Sequence, residues 1–286
     1  MKSLRKIETV IEPEPVIEGA GVHLKRSIAT HTLDYLDPFL LLDHFASSDP
    51  RDYKAGFPLH PHRGIETVTY VLRGEVHHKD TLGNSGSIGA GDVQWMTAGR
   101  GIMHEEMPQV RPEGIAGFQL WVNLPAKLKM ITPRYRDIRS DEIPEIKKKD
   151  GARIRVITGT VDGVSGPVTD IAANPLYLEV FVPAHSSFIQ PIQRGHTAFA
   201  YVFQGEAQFS GDEKEGGIRV SHPRLAVLGD GDYMRVVTGE GPVRFLLVSG
   251  QPLHEPIARY GPFVMNTEEE IEQTLLELRQ GTFVTT

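Results

Sequence analysis

Between Phe57 and Pro108 the 286-residue chain carries two pairs of potential metal ligands. The members of each pair are one residue apart: His60 and His62, then His104 and Glu106. Side chains on a strand alternate between faces, so on strands each pair would point one way. Two such strands facing each other inside a small barrel would deliver three imidazoles and one carboxylate to one point. That donor set suits a divalent transition metal and leaves positions for further ligands. The chain has no cysteine, which excludes disulfides, thiolate nucleophiles and sulfur-ligated zinc or iron–sulfur centres. Any metal must be held by His, Asp or Glu.

The surrounding sequence supplies strands to carry these residues. Ile65 to Leu72 is dominated by β-branched and aromatic residues and gives the strongest strand signal. Ile7–Ile11, Val22–Ile28, Leu36 to Phe45, Val93–Thr97 and Gly114 to Leu124 also read as strands, separated by glycine-containing turns. Arg73-Gly74-Glu75 reads as a turn after which Val76–Asp80 returns as a hairpin partner. Short strands between turns, with little helix, predict a β-sandwich or barrel. The charged stretch from Asp137 to Gly151 reads as a solvated connector, and strands resume from Ala152 to Ser249. Near the end, Thr267 followed three residues later by Glu270 has the capping-box pattern. Ile271, Leu275 and Leu278 follow at helical spacing, and Gly281 is a stop, so one amphipathic helix is expected from about Thr267 to Gln280.

Composition excludes several functions. The formal net charge is −7 with no basic stripe, which argues against direct binding of nucleic acid. The longest apolar run is far shorter than a membrane span, and the N-terminal stretch lacks the apolar core of a signal peptide, so a cytoplasmic location is expected. Gly83 to Gly91 is glycine-rich but lacks the lysine of a phosphate loop and leads into a strand, so it reads as turn chemistry.

The chain also repeats itself. Tyr70-Val71-Leu72-Arg73-Gly74-Glu75 matches Tyr201-Val202-Phe203-Gln204-Gly205-Glu206. In the same register Pro191 and Gln193 stand opposite His60 and His62, and Thr197 opposite Glu66. The shorter spacing after Gly231-Asp232 leaves the stretch with His104 and Glu106 without a clear counterpart, which suggests a deletion. Two copies of one barrel unit are therefore expected, with ligand-type residues in the first only.

The block from His60 to Tyr70, with Gly91 to Gly101, His104 to Pro108 and Asp37 to Asp43, resembles the pirin family of the cupin superfamily. The resemblance covers essentially the whole chain. It implies an all-β fold of two cupin-type β-barrel domains packed against each other, with a short C-terminal helix. The expected division is 1–136 for a metal-binding domain and 137–286 for a metal-free domain ending in the helix. It further implies one divalent transition metal on His60, His62, His104 and Glu106, iron(II) first, with manganese, cobalt, nickel, copper or zinc as alternatives. Family members are described as quercetin 2,3-dioxygenases and as protein partners of regulators. A flavonol-like aromatic substrate and O2 are therefore one expectation, with Glu106 as catalytic base. A metal-dependent regulatory partner protein is the other. A monomer is expected.

Other residues near the motifs are read more plainly. Glu66 is expected to be structural or to orient the site, and Arg63 to meet either a substrate anion or a salt-bridge partner. His77 and His78 read as a surface hairpin. Phe45, Phe57, Trp95, Met96 and Phe118 line either an apolar pocket or the core.

Overall fold

The computed structural model describes residues 2–212 and 216–284. The chain divides into two compact units that are not contiguous in sequence. One contains 14–30, 34–140 and 253–286; the other contains 1–13, 31–33 and 141–252.

The first unit holds both ligand pairs. Its seven-stranded antiparallel sheet runs in the order Arg134–Ile138, Val93–Thr97, Ile65–Arg73, Ile115–Asn123, Phe39–Ser47, Val22–Ile28, Glu14–Glu18. A four-stranded sheet runs Phe57–His62, Ile102–Pro108, Val76–Asp80, Ser85–Ile88. Val22, Leu24, Phe45, Val71 and Ile115 from the large sheet cluster with Val76 and Ile88 from the small one. Burying these apolar faces against each other is the main force holding the two layers together.

The expected hairpin after Ile65–Arg73 does not form. Val76–Asp80 pairs instead with Ile102–Pro108 and Ser85–Ile88. At Gly74 the chain leaves one sheet for the other; its φ is +85°, and a Cβ would lie 2.5 Å from the Gly114 carbonyl oxygen. Only glycine tolerates both.

The other unit repeats the large sheet, in the order Ile7–Ile11, Arg224–Leu228, Thr197–Asp212, Val243–Gly250, Leu176–Val182, Arg153–Thr158, Glu145–Lys147. Its second layer contains Ser187–Pro191 paired with Tyr233–Val237. The expected deletion is therefore a substitution. Glu106 pairs with His78, and Val236 pairs with Phe209, the residue matching His78 in the repeat. Met234 and Val236 thus stand where His104 and Glu106 stand. Both are fully buried with Phe188, Phe209 and Phe245 in one apolar cluster that fills this unit's interior.

The stretch expected to be a connector, 137–151, also differs. It contains the end of the Arg134–Ile138 strand, a short 3-10 turn at Ser140–Glu142 and the Glu145–Lys147 edge strand. Buried Ile138 and Ile143 anchor it, an apolar spacing too sparse to outweigh its charge in the sequence.

The C-terminal helix forms at Glu268–Gln280 with both capping-box bonds between Thr267 and Glu270, and Gly281 ends it in the left-handed conformation. The division into 1–136 and 137–286 is crossed at both ends. The helix belongs to the first unit, where Ile271 packs with Ala258, Phe263, Met265 and Phe283. The N-terminal strand Ile7–Ile11 pairs with Arg224–Leu228 in the second unit. Among the described residues no helix is long and apolar enough to cross a membrane.

Candidate metal centre

The two ligand pairs lie on neighbouring strands of the small sheet. His104 sits directly opposite His60 across the ladder between Phe57–His62 and Ile102–Pro108. Such cross-strand neighbours have Cβ atoms about 5 Å apart. The imidazoles converge: ring centroids are 4.4 Å apart for His60 and His104, 4.9 Å for His60 and His62, and 5.1 Å for His62 and His104. One ring nitrogen from each lies within 4.8 Å of the others.

Their environments suit a cation. His104 is fully buried, and among the described residues neither ring nitrogen has a hydrogen-bond partner. His62 is 2 % exposed, and its Nδ1 is also unpartnered, while its ring bonds to the Pro262 backbone. Burying unpaired polar nitrogens costs free energy, so this cluster is not explained by packing alone. His60 Nδ1 lies 3.0 Å from the Pro58 carbonyl. Donation there leaves Nε2 with the lone pair that a metal needs. Burial, reinforced by the neighbouring imidazoles, holds His62 and His104 well below the ordinary histidine range. Both are therefore neutral at pH 7, the protonation state required of ligands. The residues present fit a divalent metal, and the three histidines are placed to hold one.

Glu106 is close but turned aside. It is buried on the same face of its strand as His104 and lines the same cavity. However, it is not part of the three-residue group. Its Oε1 accepts a hydrogen bond from Thr69 Oγ1 at 2.9 Å, and that hydroxyl also lies 2.6 Å from Gln119 Oε1. The ladder shifts register between His104 and Glu106, which pairs with Phe57. A bulge of this kind re-aims the side chain beyond it.

His60 and His62 open onto a cavity of about 330 Å³ between the two sheets of this unit. Its walls include Val22, Leu24, Phe45, Phe57, Tyr53 and Trp121. Such a volume and apolar lining are typical of small-molecule sites. Phe45 and Phe57 are thus pocket residues, whereas Trp95, Met96 and Phe118 are core residues away from it.

Glu66 lies on the regular ladder three residues before Thr69, so it faces the opposite side of the sheet. Its Oε1 accepts from Thr97 Oγ1 at 2.8 Å, and burial raises its pKa. It therefore supports the sheet and does not orient the histidines. Arg63 is a structural salt bridge. It is 3 % exposed, donates to Thr274 Oγ1 at 3.0 Å and Glu277 Oε2 at 2.6 Å, and lies 4.7 Å over the Phe283 ring. It ties the residue after His62 to the C-terminal helix. Beside it, Gly64 adopts φ +77°, and a Cβ there would fall 1.9 Å from the Val264 carbonyl oxygen. Lys129 Nζ, buried, donates to the carbonyls of Gly64 and Val264 and to Asn123 Oδ1.

Three residues near the site escaped the sequence reading. His78 is buried rather than on a surface hairpin; its Nε2 lies 2.9 Å from Asp137 Oδ2 and its ring stacks on Tyr135. The match of His78 to Phe209 in the repeat was the available signal. Trp121 meets the His62 ring edge-on with centroids 5.0 Å apart. Arg259 lines the cavity from the C-terminal segment, with its guanidinium 5.3 Å from the Trp121 ring.

Comparison with known proteins agrees with this architecture. The family described as Pirin matches residues 21–122, and the Pirin C-terminal cupin domain matches residues 177–284. Pirin of Homo sapiens is 42 % identical over 98 % of this chain and 94 % of its own. A pirin-like protein of Caulobacter vibrioides is 40 % identical over 98 % of this chain and 99 % of its own. A crystal structure of quercetin 2,3-dioxygenase from Acinetobacter baumannii superposes with a TM-score of 0.88 at 33 % identity, covering 99 % of each chain. Two cupin-type units, a histidine cluster in the first only among the described residues, and this similarity along nearly the full length all agree: the chain belongs to the pirin family.

Proposed function

We propose that this protein holds one divalent transition metal on His60, His62 and His104, with Glu106 as a fourth ligand. We read it as a quercetin 2,3-dioxygenase-type oxygenase that cleaves a flavonol or similar enol with O2. The observation carrying this reading is the trio of convergent histidines, two of which, His60 and His62, line an apolar cavity sized for a small aromatic. The Acinetobacter structure that shares the fold carries that activity in its name, which supports the same reading.

When bound, the metal supplies Lewis acidity toward the enol oxygen and a redox centre for O2. The chain contributes the rest. An imidazole acting as a ligand brings no charge of its own, so the cation keeps its pull on an anionic oxygen. Glu106 Oε1, at the cavity wall beside the histidines, accepts the enol proton as general base. Thr69 Oγ1, donating to that same oxygen in the resting arrangement, holds the carboxylate until it is needed. Phe45, Phe57, Val22, Leu24 and Trp121 enclose a flat ring and exclude water from it.

A second reading, a metal-dependent regulatory partner protein, is favoured by Arg63. This residue follows His62 directly and binds Glu277 of the C-terminal helix. A change at the histidines could reach the helix surface by that route. An aerobic assay of O2 consumption with quercetin separates the readings. Turnover that needs metal supports the oxygenase. No turnover with iron, manganese, cobalt, nickel or copper removes it, and protein capture that changes with the metal's oxidation state then supports the second reading.

A further inference from the structure

The cavity has a second charged pole besides the histidines. Two arginines line it, Arg26 and Arg259. Arg26 is fully engaged: Nε and Nη2 donate to the two oxygens of buried Asp43 at 2.8 and 2.7 Å, and Nη1 donates to Glu18 Oε1 at 2.8 Å. Arg259 is not. Among the described residues its side-chain hydrogen bonds go only to backbone carbonyls, from Nε to Gly261 at 3.3 Å and from Nη1 to Leu40 at 3.2 Å. Among the described residues no carboxylate bonds to it; Asp34, Asp43 and Glu18 act on it only at longer range. Burial and the nearby Arg26 both disfavour its charge. A guanidinium in an apolar wall without a bonded anion favours a ligand that supplies one.

Its placement sets where that anion would lie. Arg259 belongs to the short Ala258–Tyr260 strand, paired with Phe263–Met265. This ribbon also supplies Gly261 and Pro262 to the cavity wall, and Pro262 bonds to the His62 ring. The Arg259 guanidinium lies over Trp121, and Trp121 meets His62 edge-on. The stack His62–Trp121–Arg259 therefore runs along one wall, from the histidine cluster to the cation. The face of Trp121 fixes the guanidinium against that wall.

We propose that Arg259 is the specificity residue of the cavity, and that the substrate is an aromatic enol bearing an anionic group, a carboxylate or phenolate, at the end away from the reacting oxygen. The inference rests on the oxygenase reading for the enol, but the anion anchor is measurable without turnover. With its enol at the histidines, such a ligand lies along Trp121 and places its anion on Arg259. A neutral ligand of the same shape would leave the guanidinium unpaired.

The test compares 2-naphthoate with 2-naphthamide, which share a shape and differ in charge, by isothermal titration calorimetry on the purified protein. A charge-assisted bond in a dry wall corresponds to a preference of about tenfold or more. The wild type should bind the carboxylate more tightly by that factor. Arg259→Met should bring the two affinities together without weakening the amide, and Arg259→Lys, which keeps the charge and loses the planar fork, should fall between. Equal affinities in the wild type, binding of neither probe, or a preference that survives Arg259→Met would overturn the proposal. The surviving preference would place the carboxylate at the histidines instead. If Arg259→Met does not fold, judged by circular dichroism, the wild-type and Arg259→Lys ratios decide alone. Absence of flavonol turnover alongside an intact carboxylate preference removes the oxygenase reading and supports the anchor. Turnover without the preference removes the anchor only.

Discussion

His60 and His104 face each other across adjacent strands with ring centroids 4.4 Å apart. The pairing joins residues more than forty positions apart in the chain, and it makes a cluster out of two unremarkable dipeptide patterns. The other unit keeps the same pair of strands but places Met234 and Val236 in an apolar interior. One fold thus serves as a pocket in one copy and as a filled core in the other.

The Thr69–Glu106 bond predicts a graded effect. Glu106→Gln preserves shape and removes the base, so flavonol turnover should fall by roughly 10²-fold or more while the cavity still binds the substrate. Thr69→Val frees the carboxylate and should change turnover by a smaller factor. Steady-state rates with binding measured separately check both; full turnover by Glu106→Gln would remove the base role.

Acid should loosen the metal-free protein early. His62 and His104 are held below the ordinary histidine range when folded. The unfolded chain therefore binds more protons once the pH drops below about 6.5, and stability falls with it. Their contribution is complete above that pH. Denaturant titrations between pH 7 and 5 should show a decline that is shallower in His104→Gln.

Alkali should act in the opposite sense through Lys129. Burial pushes its pKa down to about 8. Between pH 8 and the unfolded value near 10.4, the unfolded state holds the extra proton, so stability rises with pH. Relative to Lys129→Met, the wild type should gain on the order of 2 kcal/mol over that window. A flat difference between the two would contradict the assignment.

Arg63 should matter more to the C-terminal helix than to the cavity. Arg63→Met removes the bonds to Thr274 and Glu277. A loss of about 2–4 kcal/mol is expected from breaking a largely buried charged network. Hydrogen exchange should show the faster opening in the helix, with smaller change in Ile65–Arg73.

Period-two spacing puts His60 with His62, and His104 with Glu106, on one face of a strand each, and the repeat marks the unit without them; that the two strands are neighbours in one ladder is a tertiary fact. The capping box placed the helix to within a residue. What spacing could not carry was tertiary. The register shift beyond His104 turns Glu106 toward Thr69, and a bulge leaves no mark in residue type. His78 beside His77 reads as surface because only its pairing with Glu106 and its bond to Asp137 reveal burial. Arg259 and Trp121 come from distant segments that meet only in the folded wall. The exchange of terminal segments between units defeats any single boundary.

Elemental analysis of freshly purified wild type beside His104→Ala tests whether His60, His62 and His104 hold a metal. The wild type should carry close to one transition-metal ion per chain and the variant little, with both proteins folded. Metal-free wild type that takes up none on incubation with iron, nickel or zinc, or equal metal in both proteins, would contradict it.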